Sequence, residues 1–180
     1  MGLDYVVVGL IFAFVQLVLG LFLAMDSVYI GIKMFDKLTE GIDEMAELRK
    51  GNVAVALLLG AIIFSIANVV EGGVAGLTQT FSGSLTQGEM LVSFVIGLAN
   101  LVVSLILAVL TIYLSINILD RITVGIDETV GIDEFKELKR GNVAVAIMMA
   151  AVLLAVSFVI RGAVASMSSY LSPQALAGGV

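Results

Sequence analysis

Four long apolar stretches constrain the fold of this chain more than any other feature. They occupy residues 5–32, 52–70, 90–119 and 142–160. A helix of about 20 apolar residues crosses the ~30 Å hydrocarbon core of a bilayer. Apolar residues make up 60% of the 180 positions, whereas soluble domains have about 45–50%. We therefore expect an all-α integral membrane protein with four transmembrane helices and the lipid bilayer as its surroundings.

The basic residues predict the orientation of these helices. Eight of the nine lie in two loops, and the ninth is Arg161. The first loop carries Lys33, Lys37, Arg49 and Lys50, and the second carries Arg121, Lys136, Lys139 and Arg140. Loops rich in Lys and Arg face the cytoplasm. Both charged loops are therefore expected to be cytoplasmic and both chain termini outside.

An internal repeat predicts how the helices are organised. Residues 41–56 (GIDEMAELRKGNVAVA) match residues 131–146 (GIDEFKELKRGNVAVA) at 12 of 16 positions. Each copy contributes two spans, so the two halves should have the same orientation, unlike the inverted repeats of many transporters. The predicted organisation is repeat 1 at 1–75, an outer linker at 76–89, repeat 2 at 90–165 and an outer tail at 166–180.

Each repeated loop has the charge pattern of a short helix. Acidic residues come first and basic residues last, as the helix dipole favours. Apolar residues recur at three-residue spacing, which predicts a short amphipathic helix at the cytoplasmic interface. Gly51 and Gly141 suit the left-handed residue that ends such a helix, and Asn52 and Asn142 suit the N-caps of the next spans.

Small residues recur four positions apart in the second and fourth spans. In lipid, such spacing lets helix backbones approach closely. The alternative is that small residues are simply common in membrane helices. The predicted helix-packing residues are Ala56, Gly60, Ala61, Ala146, Ala150 and Ala151.

The order of these motifs resembles a known family. The sequence LDRIT at 119–123, then GIDE, a charged stretch and Gly-Asn-Val-Ala-Val-Ala is similar to the YjfL-like inner-membrane proteins (domain of unknown function 350). The resemblance covers both repeats. It implies tandem two-span units in the plasma (inner) membrane of a prokaryote, and it brings no activity or site residue with it.

Three ionisable residues in the spans are candidates for function. Glu71 and Arg161 occupy equivalent repeat positions near the outer ends of their helices, where they could form an ion pair or remain two solvated helix ends. Asp26 lies in the first span and could hold a proton or cation, or pair with Lys33. An ionisable residue at membrane depth marks a candidate functional site.

Composition excludes several classes of partner. The chain has no His and no Cys, so the usual ligands of zinc, copper, haem and iron–sulfur clusters are missing. The formal net charge of −6 argues against nucleic acid. The acidic run GIDETVGIDE at 125–134 could attract Ca²⁺ or Mg²⁺, but its spacing is not that of an EF-hand, and helix-end charge explains it more simply. No metal site or cofactor is predicted.

The sequence thus predicts a non-enzymatic membrane protein that works as a homo-oligomeric scaffold, with a possible cytoplasmic protein partner at the charged loops. The alternative is a small ion channel or transporter that uses Asp26, Glu71 and Arg161. Loss of ion flux on Asp26→Asn would favour the alternative.

Overall fold

The apolar stretches form long helices, and the charged loops form short ones. The structure, a computed structural model, describes residues 3–39, 42–82, 87–125 and 133–170. The described residues form six helices: α1 (Leu3–Leu38), α2 (Glu44–Arg49), α3 (Val53–Ser82), α4 (Gln87–Gly125), α5 (Glu134–Lys139) and α6 (Val143–Tyr170). Helices α1, α3, α4 and α6 are each long and apolar enough to cross a membrane. The protein is therefore an all-helical, multi-pass membrane protein.

The long helices extend beyond the spans predicted from the sequence. Helix α1 continues to Leu38 because Met34 and Phe35 still lie on its buried face. Helix α3 continues to Ser82, so helix occupies much of the predicted outer linker 76–89. Residues 83–86 of that linker, residues 126–132 in the second loop and residues 171–180 of the predicted tail lie outside the described residues.

Helix α3 lies at the centre of the bundle. It contacts α1, α4 and α6, and its most extensive contact is with α6. Large apolar side chains from four helices fill the space around it, including Phe35, Leu58, Ile62, Ile66, Ile112, Met149 and Leu153. By contrast, α1 exposes most of its large apolar side chains, as a lipid-facing helix can.

Two contacts define the register between α1 and α3. Gln16 donates a hydrogen bond to the Thr78 hydroxyl, and Gly31 lies so close to Ile63 that a Cβ at Gly31 would come within 2.6 Å of the Ile63 side chain. Fifteen residues separate the two contacts on each helix. The helices are therefore antiparallel and nearly in step over this length.

Several buried hydroxyl groups are paired within their own helices, whereas the buried Ser65 hydroxyl has no partner among the described residues. Ser27 donates to the carbonyl of Leu23 at 2.7 Å, and Ser104 donates to that of Leu101 at 2.8 Å. Hydrocarbon offers no hydrogen-bond partner, so these bonds remove the cost of carrying a hydroxyl into the membrane.

Candidate functional site

A chain of polar side chains connects α3 to α6 inside the membrane-spanning region. Arg161 forms an ion pair with Glu71 and donates from Nη1 to Oδ1 of Asn68 at 3.2 Å. Asn68 donates from Nδ2 to the Ser157 hydroxyl at 3.1 Å, and Ser157 donates to the carbonyl of Leu154 at 2.8 Å. Each of these polar side chains therefore has a hydrogen-bond or ion-pair partner. We call these four side chains (Asn68, Glu71, Ser157 and Arg161) the α3–α6 polar cluster.

The polar cluster is suited to holding helices together rather than to bond chemistry. The Ser157 proton is directed to its own helix, and the side chain next to Ser157 is the neutral amide of Asn68, which is no general base. The charge of Arg161 is compensated by Glu71. The pair is only partly buried, because the Arg161 and Glu71 side chains are 40% and 52% exposed.

Gly72 permits the close approach that the cluster requires. A Cβ at this position would lie 2.8 Å from the Arg161 carbonyl oxygen and 3.1 Å from its Cγ. Contacts shorter than 3.0 Å do not occur for real Cβ atoms, so any larger residue would push α6 away from α3. The adjacent Gly73 faces α4 instead, where a Cβ would meet the Ser104 side chain.

Asp26 lies on an exposed flank of α1. It is exposed to the surroundings of the single chain, and it forms no ion pair with any described residue, including Lys33. The antiparallel register with α3 places Asp26 level with Asn68. Asn68 is fifteen residues above the start of α3, or about 22 Å, so Asp26 is within the ~30 Å thickness of the hydrocarbon core. The structure does not bring Asp26 into the α3–α6 polar cluster.

The six predicted packing residues divide into two groups. Ala61, Ala146 and Ala150 are buried in the core. Ala56, Gly60 and Ala151 are exposed, so contact within the single chain does not use them. Adjacent residues on a helix point about 100° apart, so Ala61 can be buried while its neighbour Gly60 is exposed. The four-residue spacing therefore predicts surfaces made of small residues, but it does not predict which of these surfaces are buried within the single chain.

Two of the exposed small residues, Ala56 and Gly60, border a shallow groove between α3 and α6. It has a volume of about 320 Å³ and is lined by Ala56, Gly60, Phe64, Ala150 and Leu154 among others. A Cβ at Gly60 would meet nothing within 4 Å. This part of α3 is therefore open to lipid or to another helix.

The glycine and asparagine at the end of each loop cap the helices on either side. Gly51 and Gly141 have φ of +78° and +81°, a conformation in which glycine is favoured. The Asn52 Oδ1 accepts from the backbone N–H groups of Ala54 and Val55 at 3.1 and 3.3 Å. Asn142 accepts at 3.2 and 3.5 Å from the equivalent groups of its own helix.

A hydrogen bond joins the described part of the second loop to the end of the first. Asn52 Nδ2 donates to the carbonyl of Leu138 at 3.0 Å as well as to Glu47 Oε2 at 2.9 Å. Hydrogen bonds from Asn52 and then from Lys50 lower the pKa of Glu47. Hydrogen bonds from Asn142 and Arg140 lower the pKa of Glu137 in the same way. The two loops therefore carry matching charged networks.

The chain matches one known protein family over most of its length. The family is described as Domain of Unknown Function (DUF350), and the matches cover residues 3–164 and 126–179. The chain belongs to the DUF350 family. No curated protein and no solved structure matches it.

For this DUF350 protein, sequence reasoning missed the buried glutamate of each loop helix. Glu44 and Glu134 were expected only as favourable charges at helix N-termini, yet the two residues are 6% and 1% exposed. A hydrogen bond with the Asp36 carboxyl group, followed by burial, raises the pKa of Glu44. Met45 is one of the apolar residues whose three-residue spacing predicts the apolar face of α2, but it is exposed, because α2 turns Glu44 towards the end of α1.

Sequence reasoning also missed the part that Asn68 and Ser157 play in this DUF350 protein. Asn68 precedes Glu71 by three residues and Ser157 precedes Arg161 by four, so each shares a helix face with its charged neighbour. That spacing is the signal that could have placed them together. The repeat offset of 90 does not place Asn68 with Ser157, because it pairs Asn68 with Phe158.

Proposed function

We propose that the protein is a non-enzymatic, homo-oligomeric scaffold of a prokaryotic plasma membrane. Its subunits associate within the bilayer, and its charged loops face the cytoplasm and offer a docking surface to a protein partner. Both termini lie outside in this arrangement, as the distribution of Lys and Arg favours.

The exposed carboxyl group of Asp26 is the observation that carries the proposal. A charged group at the middle of a membrane helix costs about 2.5–3.5 kcal/mol on insertion scales. Such residues therefore face protein or a water-filled cavity rather than lipid. Asp26 is exposed and has no ion-pair partner among the described residues, and a second copy would supply a covering surface.

The exposed small residues provide a second support for self-association. Ala56 and Gly60 leave the backbone of α3 accessible beside Phe64. Small residues on a membrane helix surface allow a partner helix to pack at short distance, and van der Waals contact drives such packing in lipid.

The α3–α6 polar cluster favours a structural role over a catalytic one. Arg161 and Glu71 are engaged with each other across two helices, and Asn68 and Ser157 complete the hydrogen bonds between them. These contacts fix the helix pair that a scaffold would need.

An ion route is the second candidate, and the level of Asp26 favours it. Asp26 is at the height of Asn68, within the layer where Glu71 and Arg161 are partly exposed. In a ring of subunits, copies of Asp26 around a central axis would form a carboxylate ring of the kind that selects cations.

Cysteine cross-linking in native membranes tests the proposal, since the chain has no cysteine of its own. Asp26→Cys should form a disulfide-linked dimer on mild oxidation. Val28→Cys, at an exposed position on the opposite flank of the same helix, is the matched control and should stay monomeric. Absence of a dimer from Asp26→Cys would contradict an interface at Asp26.

Cation flux into liposomes separates the two candidate functions. The scaffold predicts that wild-type protein assembles but passes no ions. Flux that is present in the wild type and lost in Asp26→Asn, with assembly unchanged, would establish the ion route instead.

A further inference from the structure

A groove separates α1 from α4 on the side of the bundle next to the loops. Helix α1 packs mainly against α3 and touches α4 only slightly. The cavity left between them has a volume of about 580 Å³, within the range of about 300–1,000 Å³ that is usual for small-molecule sites. Its lining includes Ile30, Met34 and Lys37 from α1 and Ile106, Leu110 and Tyr113 from α4.

The polar groups of this groove lie at one of its ends. Helices α1 and α4 both run towards the charged loops. Lys37 and Tyr113 are therefore nearer to the loops than Ile30 and Ile106, which line the same groove further into the membrane. A groove with a cationic mouth and an apolar interior matches an amphiphile.

The charge of Lys37 is available to a ligand. Its side chain is exposed, and it forms no ion pair with the residues that the structure describes. Among the described lining residues, Lys37 is the only charged one. An ammonium group at the membrane surface attracts anionic lipid headgroups, and no acidic side chain of the lining competes with them.

We propose that this groove is a binding site for an anionic membrane lipid. One alkyl chain of the lipid lies along the apolar wall between Ile30 and Leu110. Its phosphate contacts the Lys37 ammonium group at the end of the groove next to the loops. The described lining belongs to α1 and α4 of a single chain.

Lipid retention in native mass spectrometry tests the charge of the site. The protein is reconstituted in nanodiscs of phosphatidylcholine with a minor fraction of phosphatidylglycerol, and the lipids that stay bound to each subunit are counted. Wild type should retain phosphatidylglycerol preferentially. Lys37→Gln should reduce that preference about fivefold, the effect of one lysine at an anionic surface.

Lys33→Gln is the matched control, because Lys33 is exposed one turn earlier on α1 but does not line the groove. It should leave the preference unchanged. Equal losses in the two variants, or no preference for phosphatidylglycerol in the wild type, would overturn the proposal.

A second variant tests the apolar part of the groove. Ile106 is 60% exposed, so Ile106→Trp fills the groove without entering the core. This variant should retain neither phosphatidylglycerol nor phosphatidylcholine in the groove. Free glycerol phosphate added to the wild type should displace neither lipid. Displacement of the lipids by glycerol phosphate would show a phosphate site that needs no lipid chain, and it would overturn the proposal. A change in subunit number with Ile106→Trp, at unchanged lipid retention, would show that a second copy occupies the groove.

Discussion

At the scale of single residues, the α3–α6 polar cluster depends on a glycine as much as on its charges. Arg161 reaches Glu71 and Asn68 because Gly72 leaves room for its backbone. The two halves of the protein are thus connected by a specific contact in addition to apolar packing.

Replacing Gly72 by alanine should destabilise the helix pair. The added Cβ would meet the Arg161 carbonyl oxygen at 2.8 Å, and overpacking typically costs about 1–3 kcal/mol. Thermal unfolding in detergent measures the loss. Gly162→Ala adds the same atom to the partner helix α6 where nothing lies within 4 Å, and it should be nearly neutral. Equal effects of the two substitutions would contradict the close approach at Gly72.

Charge exchange tests the ion pair itself. Glu71→Arg should destabilise the protein by placing two cations together, and Glu71→Arg with Arg161→Glu should recover part of the loss. Residues in contact usually show coupling energies of about 0.5–3 kcal/mol in such cycles. Partial exposure of both side chains places the expected value at the lower end. Strictly additive effects would show that the pair contributes no coupling.

At the scale of elements, the short loop helices are defined by their caps. Asp43 Oδ1 accepts from the backbone N–H of Ala46 at 2.9 Å to start α2, and Gly51 ends the turn that follows it with φ of +78°. Glu44 is then the first residue of α2 and is directed towards Asp36 at the end of α1. Protonation of Glu44 is therefore linked to the docking of α2.

The docking of α2 should weaken as the pH rises from acid to neutral. The hydrogen bond with Asp36 and burial raise the pKa of Glu44 above its ordinary value of 4.5. A raised pKa means that the folded state favours the protonated form. The stabilisation is therefore complete below pH 4.5 and is lost as the pH rises through the raised pKa.

Hydrogen exchange of the α2 amides, corrected for intrinsic rates, measures this pH dependence. Glu44→Gln keeps the side chain neutral, and it should make α2 protection less dependent on pH and greater at neutral pH than in the wild type. Glu47 has a lowered pKa and contributes in the opposite direction, so the difference between wild type and Glu44→Gln isolates Glu44. Identical pH profiles would contradict the carboxyl pair.

At the scale of the whole molecule, the sequence predicts the four long helices but not which of their faces pack against one another. Apolar length alone predicts a spanning helix, because hydrocarbon requires paired backbone groups. It does not predict which face is buried, because lipid and protein interior are equally apolar. The sequence therefore does not predict that Ala61 is buried while Gly60 is exposed.

The candidate site was predictable only in part. The repeat pointed to Glu71 and Arg161, and the structure places them in contact. It could not identify Asn68 or Ser157, whose roles depend on the register of α3 against α6. The buried position of Glu44 was equally hidden, because it depends on where the loop folds back against α1.

The charged loops should lie on one side of the membrane. Cysteines at the exposed positions Lys50 and Lys139 should resist a membrane-impermeant maleimide in intact cells and react after permeabilisation. Labelling of either position in intact cells would contradict the proposed orientation. Labelling of only one would show that the two loops lie on opposite sides of the membrane.

Native mass spectrometry of the wild-type protein in lipid nanodiscs tests self-association most directly. The exposed Asp26 and the open surface at Gly60 lead us to expect one closed assembly of more than one subunit. A protein that is predominantly monomeric in the bilayer would contradict the homo-oligomeric scaffold and the multi-subunit ion route together.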